Sequence, residues 1–216
     1  IANKACFLAV SRHDVDLYRH LFHANHIHYL PVFLPYTLAV GKEGQGCYCL
    51  YHGNLSVNEN EQAVTWLLRY VFKEMEIPFV IAGKNPSKKL QELAHQHKQT
   101  CLVANPTEKE MQDLIARAQV HVLPSFNNTG IKLKLLNALF NGRHCLVNQA
   151  AVEGSGLENY CQIATDARSF KDKISVLYKK DFTEQEIQQR QGLLQSEFNN
   201  EANAGKLINL IWENVS

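Results

Sequence analysis

The chain has 216 residues, 45% of them hydrophobic and 20% charged, and a net charge of +1. This describes an ordinary globular protein with room for one large domain, or for one domain plus a piece of another. The near-balanced charge, with no cluster of lysine and arginine, argues against a nucleic-acid surface, and no apolar run reaches the length of a membrane span.

Strand-like and helix-like segments alternate along the chain. Residues 5–10 form a short apolar strand, 14–23 a helix, and 27–33 a strand that ends in a proline-bounded loop over 31–46. That loop holds Pro35, Gly41, Gly44 and Gly46 and is the best candidate for a linker. A new strand spans 47–52, and Val64, Leu67, Leu68, Val71 and Phe72 recur at helical spacing within a long amphipathic helix over 58–75. Then come a strand at 78–82, a helix at 86–96 and a strand at 100–104. A helix at 107–118 follows, capped by Thr107 with Glu110 completing a capping box. A strand at 120–124, a helix at 131–141, a strand at 144–148 and a further strand at 162–165 precede a helical tail. Strand–helix units joined by short turns require a parallel sheet covered on both faces. The short unalternating runs of Val, Ile, Leu and Cys fit strands buried on both sides. The expected fold is therefore α/β, a doubly wound, Rossmann-like sheet with ligands outside the carboxyl ends of its strands. That rule gathers the turns at Gly53, Gly83, Asn105 and 125–130 around one crevice.

The helix that follows the strand at 120–124 opens with Gly130-Ile131-Lys132-Leu133-Lys134. Lysine is unfavourable beside the positive end of a helix dipole, and an anion held by the free amides and a lysine together would explain it. The plainer alternative is a solvated surface lysine. No G-x-G-x-x-G or G-x-x-x-x-G-K-[ST] stands at any turn, which weakens dinucleotide dehydrogenase and P-loop readings. The six cysteines include no C-x-x-C pair and read as buried reduced thiols of a cytosolic protein. Of the ten histidines, His23, His26 and His28 lack a carboxylate or cysteine at ligand spacing. His52 and His121, on apolar strands, read as satisfied core histidines, while His144 could face the crevice. The start at Ile1, without a signal-peptide pattern, fits a fragment of a longer chain.

From about Cys47 onward the chain resembles the carboxy-terminal, donor-binding domain of a GT-B fold glycosyltransferase of the large retaining "group 1" class. Tyr51-His52-Gly53-Asn54-Leu55, with Asn60, Ala63, Trp66 and Leu67, is similar to the family's first strand, turn and helix. Phe79 to Pro86 resembles its second strand and glycine turn. Val122 to Ser125 through Leu136-Asn137-Ala138 and Gly142 resembles the segment that holds the donor, and Glu153-Gly154-Ser155-Gly156-Leu157 the loop after the following strand. Residues 1–36, with Ser11, Asp14 and the Leu30-Pro31 step, resemble the end of a preceding acceptor domain. The implied organisation is thus that tail, a linker at 37–46, and a donor-binding domain over 47–216 with closing helices.

The resemblance implies donor-binding roles for Gly53, Asn54, Gly83, Asn105, Thr129, Gly130, Lys132, Lys134 and Asn137, and assigns no catalytic residue. Two departures stand out. Where the family carries two glutamates, for the sugar and the ribose, this chain has Thr129 and Asn137, which hydrogen-bond but supply no charge. Where many members place an arginine for the diphosphate, it has Asn54. Gly130, Lys132 and Lys134 fit a subset with a Gly-x-basic-x-Lys pattern. Side chains two apart on a helix point about 200° apart, so one lysine is expected at the phosphate, and Lys132 is favoured as nearer the helix start.

The implied activity is retaining transfer of a hexose from a nucleotide-diphospho-sugar to an acceptor hydroxyl. The acceptor, a glycan or lipid-linked saccharide, would bind through the absent amino-terminal domain, so the isolated fragment is expected to be inactive. No cofactor or metal is implied: the one Asp-x-Asp, Asp14 and Asp16, falls outside the crevice. The expected location is cytoplasmic, peripheral to a membrane or not. Alternatives are a degenerate, non-catalytic nucleotide- or partner-binding half-domain, or a nucleotide-sugar epimerase of the same fold.

Overall fold

The computed structural model describes residues 5–213. Six parallel strands form the main sheet: β3 (Tyr48–Asn54), β4 (Phe79–Lys84), β5 (Thr100–Ala104), β6 (Ala118–Val122), β7 (His144–Val147) and β8 (Gln162–Ile163). Their order is β5-β4-β3-β6-β7-β8. The chain therefore builds outward from β3 to one edge, returns to the other side of β3, and builds outward again. β3 and β6 are the strands between which this order reverses, and a crevice necessarily opens beyond their carboxyl ends.

The strands alternate between two apolar layers. Cys49, Tyr51, Val120 and Val122 join the larger core, whereas Leu50, Val80, Ala82, Ile115 and Ala118 form the smaller one on the opposite face. Helices α2 (Asn58–Trp66), α3 (Lys88–His95) and α7 (Ala167–Leu177) cover one face; α4 (Glu108–Arg117), α5 (Leu133–Asn141) and α8 (Glu184–Ser196) cover the other. A short α6 (Gln149–Val152) and the terminal α9 (Asn200–Glu213) complete the set. Thr107 caps α4 through the expected capping box with Glu110.

The amphipathic stretch expected as one helix over 58–75 is broken. α2 ends at Trp66, and Leu67–Val71 form a π-helical turn followed by a 3-10 turn at Phe72–Glu74. The apolar spacing survives this change because Leu67, Leu68, Val71 and Phe72 are all buried.

A small parallel pair, β1 (Phe7–Ala9) and β2 (Ile27–Tyr29), stands apart from the main sheet. It encloses α1 (Arg12–Phe22), which Ser11 caps by accepting from the Asp14 amide at 3.0 Å. The following stretch is fastened at several points. Asn200 accepts from the Leu34 amide and donates to its carbonyl. Gln191 accepts from the Ala39 amide at 2.7 Å, and the Val40 amide donates to the Phe140 carbonyl at 2.8 Å. Gly44 makes an antiparallel bridge to Phe182. The cysteines depart from expectation: Cys6, Cys47 and Cys101 are exposed and free, and only Cys49 and Cys145 are fully buried. No helix among the described residues is long and apolar enough to cross a membrane.

Candidate functional site

Two glycines lie side by side at the strand ends beside the crevice. Gly53 and Gly83 are register partners at the carboxyl ends of β3 and β4, and a Cβ on Gly83 would run into the carbonyl oxygen of Gly53. Gly83 is therefore needed for close strand contact. Gly53 has φ +156°, a backbone angle side-chain-bearing residues rarely adopt. Asn105, also among the expected site residues, has a structural task at the next turn. With φ +53°, it accepts from the Asn85 amide through Oδ1 at 2.8 Å, while its own amide donates to the Gly83 carbonyl at 2.8 Å.

Of the two lysines, Lys134 is the one drawn into the switch point. Its Nζ donates to the Tyr51 hydroxyl at 2.9 Å and to Asn60 Oδ1 at 2.6 Å, and lies 4.8 Å from the centre of the Tyr51 ring. Asn60 in turn donates to the Asn54 carbonyl at 2.9 Å. Burial pushes the Lys134 ammonium down to about 8; Glu59 opposes that shift and Lys132 adds to it. Lys132, which sequence reasoning favoured, points elsewhere. It is the N-cap residue of α5, outside the helix proper, and its Nζ donates to the Thr129 carbonyl at 2.9 Å. The helix starts two residues later than expected, so Lys134 belongs to its first turn. No side chain caps that start, which leaves its first amides available to an anion.

The preceding loop is held by its own polar groups. Ser125 donates to Glu59 at 2.6 Å and to the Asn127 carbonyl at 2.8 Å. Asn127 Oδ1 accepts from both the amide and the hydroxyl of Thr129, each at 2.7 Å. Gly130 adopts φ +64° with open space where a Cβ would stand. Of the expected site residues, Gly53, Asn54 and Asn137 line the large cavity beside the switch point, whereas Gly83, Asn105, Thr129, Gly130, Lys132 and Lys134 do not.

That cavity has a volume of about 670 Å³. Its lining combines polar residues, Gly53, Asn54, Lys84 and Asn137 among them, with the apolar side chains of Phe33, Tyr36, Met111 and Leu133. Asn54 is occupied in the turn, accepting from the amide and hydroxyl of Ser56. Asn137 accepts from Asn141 Nδ2 at 2.8 Å. Sequence reasoning missed Tyr51, Asn60 and Glu59 as partners in the site. The available signal was the polar first turn of α2 facing a glycine-ended strand.

The histidines divide differently from expectation. His52 and His121 are buried, edge to face at 5.8 Å, yet His52 Nε2 and both ring nitrogens of His121 have no hydrogen-bond partner among the described residues. They are core histidines but not satisfied ones. Burial lowers both: His52 to about 3, with Lys134 adding to the effect, and His121 well below the usual range. His144 does not face the crevice. It starts β7 at the opposite end of the sheet, with Nε2 3.1 Å from the Lys180 carbonyl and its ring edge-on to Phe182.

Comparison with known proteins places this geometry. The family model described as "Glycosyl transferases group 1" matches residues 46–180, well over half of the chain. A protein of Klebsiella pneumoniae, described as an uncharacterized 44.6 kDa protein in the cps region, is 28% identical over 149 residues, which are 63% of this chain and 38% of that one. Among solved structures, S. aureus TarM in complex with Fondaparinux, alpha-GlcNAc-glycerol and UDP superposes with a TM-score of 0.71 at 14% identity, covering 95% of this chain and 43% of TarM. Sucrose-phosphate synthase from Thermosynechococcus elongatus gives 0.73 at 14% identity, covering 96% of this chain and 58% of the other. A glycosyltransferase from Rickettsia africae gives 0.72 at 11%, covering 99% and 64%. The chain thus spans between 38% and 64% of the length of these relatives. At such low identities the solved structures establish the fold, a Rossmann-like half of the GT-B architecture. The family model, matched across β3 to α7, shows that the chain belongs to the group 1 glycosyltransferases.

Proposed function

We propose that the crevice at the β3–β6 switch point binds a nucleotide-diphospho-sugar, and that this chain is the donor-binding half of an enzyme that transfers a hexose, with retention, to an acceptor hydroxyl. The observation that carries this reading is Lys134: a largely desolvated ammonium in the first turn of an uncapped helix, aimed at the carboxyl end of the central strand. A diphosphate there would gain the ammonium and the free helix amides together. Those groups would also stabilise the negative charge that develops as the leaving diphosphate departs. Among the residues that line the cavity, Tyr36 and Met111 suit a nucleobase, and Asn54 and Asn137 a ribose and phosphates. On this reading no divalent cation is required, because the protein supplies the positive charge. The acceptor would be met by an amino-terminal domain, so the isolated chain binds donor without turnover.

The test is calorimetric titration of UDP, GDP and ADP into wild type, Lys134→Ala and Lys132→Ala, each with and without EDTA. Loss of a charge-assisted contact at Lys134 should cost about 1.5–3 kcal/mol, with Lys132→Ala nearly silent and EDTA without effect. Equal binding by Lys134→Ala would remove the lysine from the site, and binding that needs magnesium or manganese would overturn the metal-free mechanism.

A second reading, a donor- or partner-binding half-domain without catalysis, is favoured by Thr129 and Asn137. Both are engaged with neighbouring asparagines and neither brings a carboxylate. Donor hydrolysis by the full-length protein separates the two: slow release of free sugar supports the enzyme, and its absence, with nucleotide binding intact, supports the binding module.

A further inference from the structure

A second cleft lies on the other face of the sheet, between the end of α2 and the start of α7. Its volume is about 390 Å³, and its walls are Trp66, Tyr70, Phe126 and Phe170, with Asn148, Thr165 and Asp166 at the rim beyond β7 and β8. Tyr70 and Phe126 are 56% and 51% exposed and line the same cleft, so their rings are open to a ligand that enters it. Trp66 meets Phe126 and Phe170 edge-on at 6.0 and 5.4 Å, which braces the wall without covering it. The Tyr70 hydroxyl has no hydrogen-bond partner among the described residues.

Two further observations give this cleft a chemistry. The π-helical turn at Leu67–Val71 begins directly after Trp66 and carries Tyr70. An extra residue in a helical turn redirects the side chains around it, and such turns recur at functional sites. The rim is polar and acidic. Asp166 spends Oδ1 on the Ser169 amide at 2.8 Å, where it caps α7; a carboxylate retains further acceptor capacity beyond one such bond. Asn148, in contrast, is fully used in pinning Ser125, through bonds of 2.9 and 2.7 Å.

We propose that this cleft is a saccharide-binding subsite, separate from the donor crevice, that stacks one face of a pyranoside ring on Tyr70 and Phe126 and takes its hydroxyls on Asp166 and Thr165. The C–H groups on a pyranose face are weakly positive and suit the negative face of an aromatic ring. A carboxylate accepts strong hydrogen bonds from neighbouring hydroxyls. The cleft is of small-molecule size and opens at the same carboxyl rim as the crevice, with Pro124 and Phe126 on the segment that follows β6 and leads to α5. A transferase of sugars would gain from it a second grip on a saccharide beyond the reacting unit.

Trp66 reports on the site directly, since the only other tryptophan is Trp212. In a Trp212→Phe background, emission is followed during titration with the methyl α-glycosides of glucose, galactose and N-acetylglucosamine. At least one should give a saturable shift, weakened about tenfold or more in Tyr70→Ala and Phe126→Ala, the equivalent of about 1.4 kcal/mol. Asp166→Asn, which keeps the helix cap, should weaken it several-fold. Lys134→Ala should leave it unchanged while losing nucleotide affinity, and UDP titration of Tyr70→Ala should match the parent, so failure of one site is distinguishable from failure of the other. Absence of a saturable shift with all three glycosides would overturn the proposal. So would undiminished binding by both aromatic variants; their rings are more than half exposed, so removing them leaves the core in place.

Discussion

The ammonium of Lys134 and the hydroxyl of Tyr51, 83 residues apart in sequence, meet at 2.9 Å and join the first turn of α5 to the central strand of the sheet. This contact places a positive charge where burial penalises it. Tyr51 and Asn60 together hold the lysine in that position.

Lys134 should make nucleotide affinity and stability oppose each other. Its folded-state value of about 8 lies below the usual 10.5 of a solvated lysine, so the fold disfavours the charged form, and its contribution to stability improves as pH rises from about 8 towards 10.5. Nucleoside diphosphate affinity should run the other way, falling up to about tenfold per pH unit above 8 as the ammonium loses its proton. Lys134→Met should raise stability at pH 7 by about 1 kcal/mol and remove that pH dependence. Urea denaturation and titration of the same samples between pH 7 and 9.5 check both halves.

The buried imidazole pair should make the fold acid-sensitive. His52 and His121 are held neutral, with values depressed below 6.5. Their stability contribution is therefore complete above about pH 6.5 and is lost as pH falls from there towards 3, because the unfolded chain takes up the protons first. Each imidazole can contribute up to about 1.4 kcal/mol per pH unit in that window. His52→Leu should flatten the dependence of the urea midpoint on pH between 6.5 and 4, and an unchanged slope would exclude His52 as a source.

Gly83 and Gly130 should differ sharply in their tolerance of alanine. At Gly83 the methyl meets the Gly53 carbonyl and Leu55, so the two strands must part, at a cost of about 3 kcal/mol or more. At Gly130 the space is open and only the positive φ opposes the change, a penalty of about 1 kcal/mol. Chemical denaturation of the two variants, side by side, gives the comparison.

Asn137 lines the cavity, and a carboxylate there would accept stronger bonds from a ribose diol than a neutral amide does. Asn137→Glu should therefore tighten nucleoside diphosphate binding several-fold. Calorimetry reads this directly, and unchanged affinity with an intact fold would place the ribose elsewhere.

Much of the architecture was legible because it rests on local signals. β5 falls on the expected residues 100–104, bounded by polar turns, and the capping box at Thr107 and Glu110 marks the start of α4. The break after Trp66 was hidden because a π turn keeps apolar residues on the buried side, leaving the spacing helical to the eye. The start of α5 was read two residues early because neither Gly130 nor Ile131 offers a cap or a stop. Choosing between Lys132 and Lys134 was beyond local reasoning: the decision depends on Tyr51 and Asn60, which only the folded sheet brings near. The same holds for His144, whose end of the strand depends on where β7 begins.

The wall of the cavity opposite α4 and α5 includes Phe33, Leu34, Pro35 and Tyr36, and this segment belongs to neither the main sheet nor its helices. It follows directly on the small β1–β2 pair and is clamped to α9 through Asn200. The carboxy-terminal helix, remote from the strand ends in sequence, thus fixes where this wall stands, and the opening of the cavity depends on how residues 33–36 are tied to Asn200.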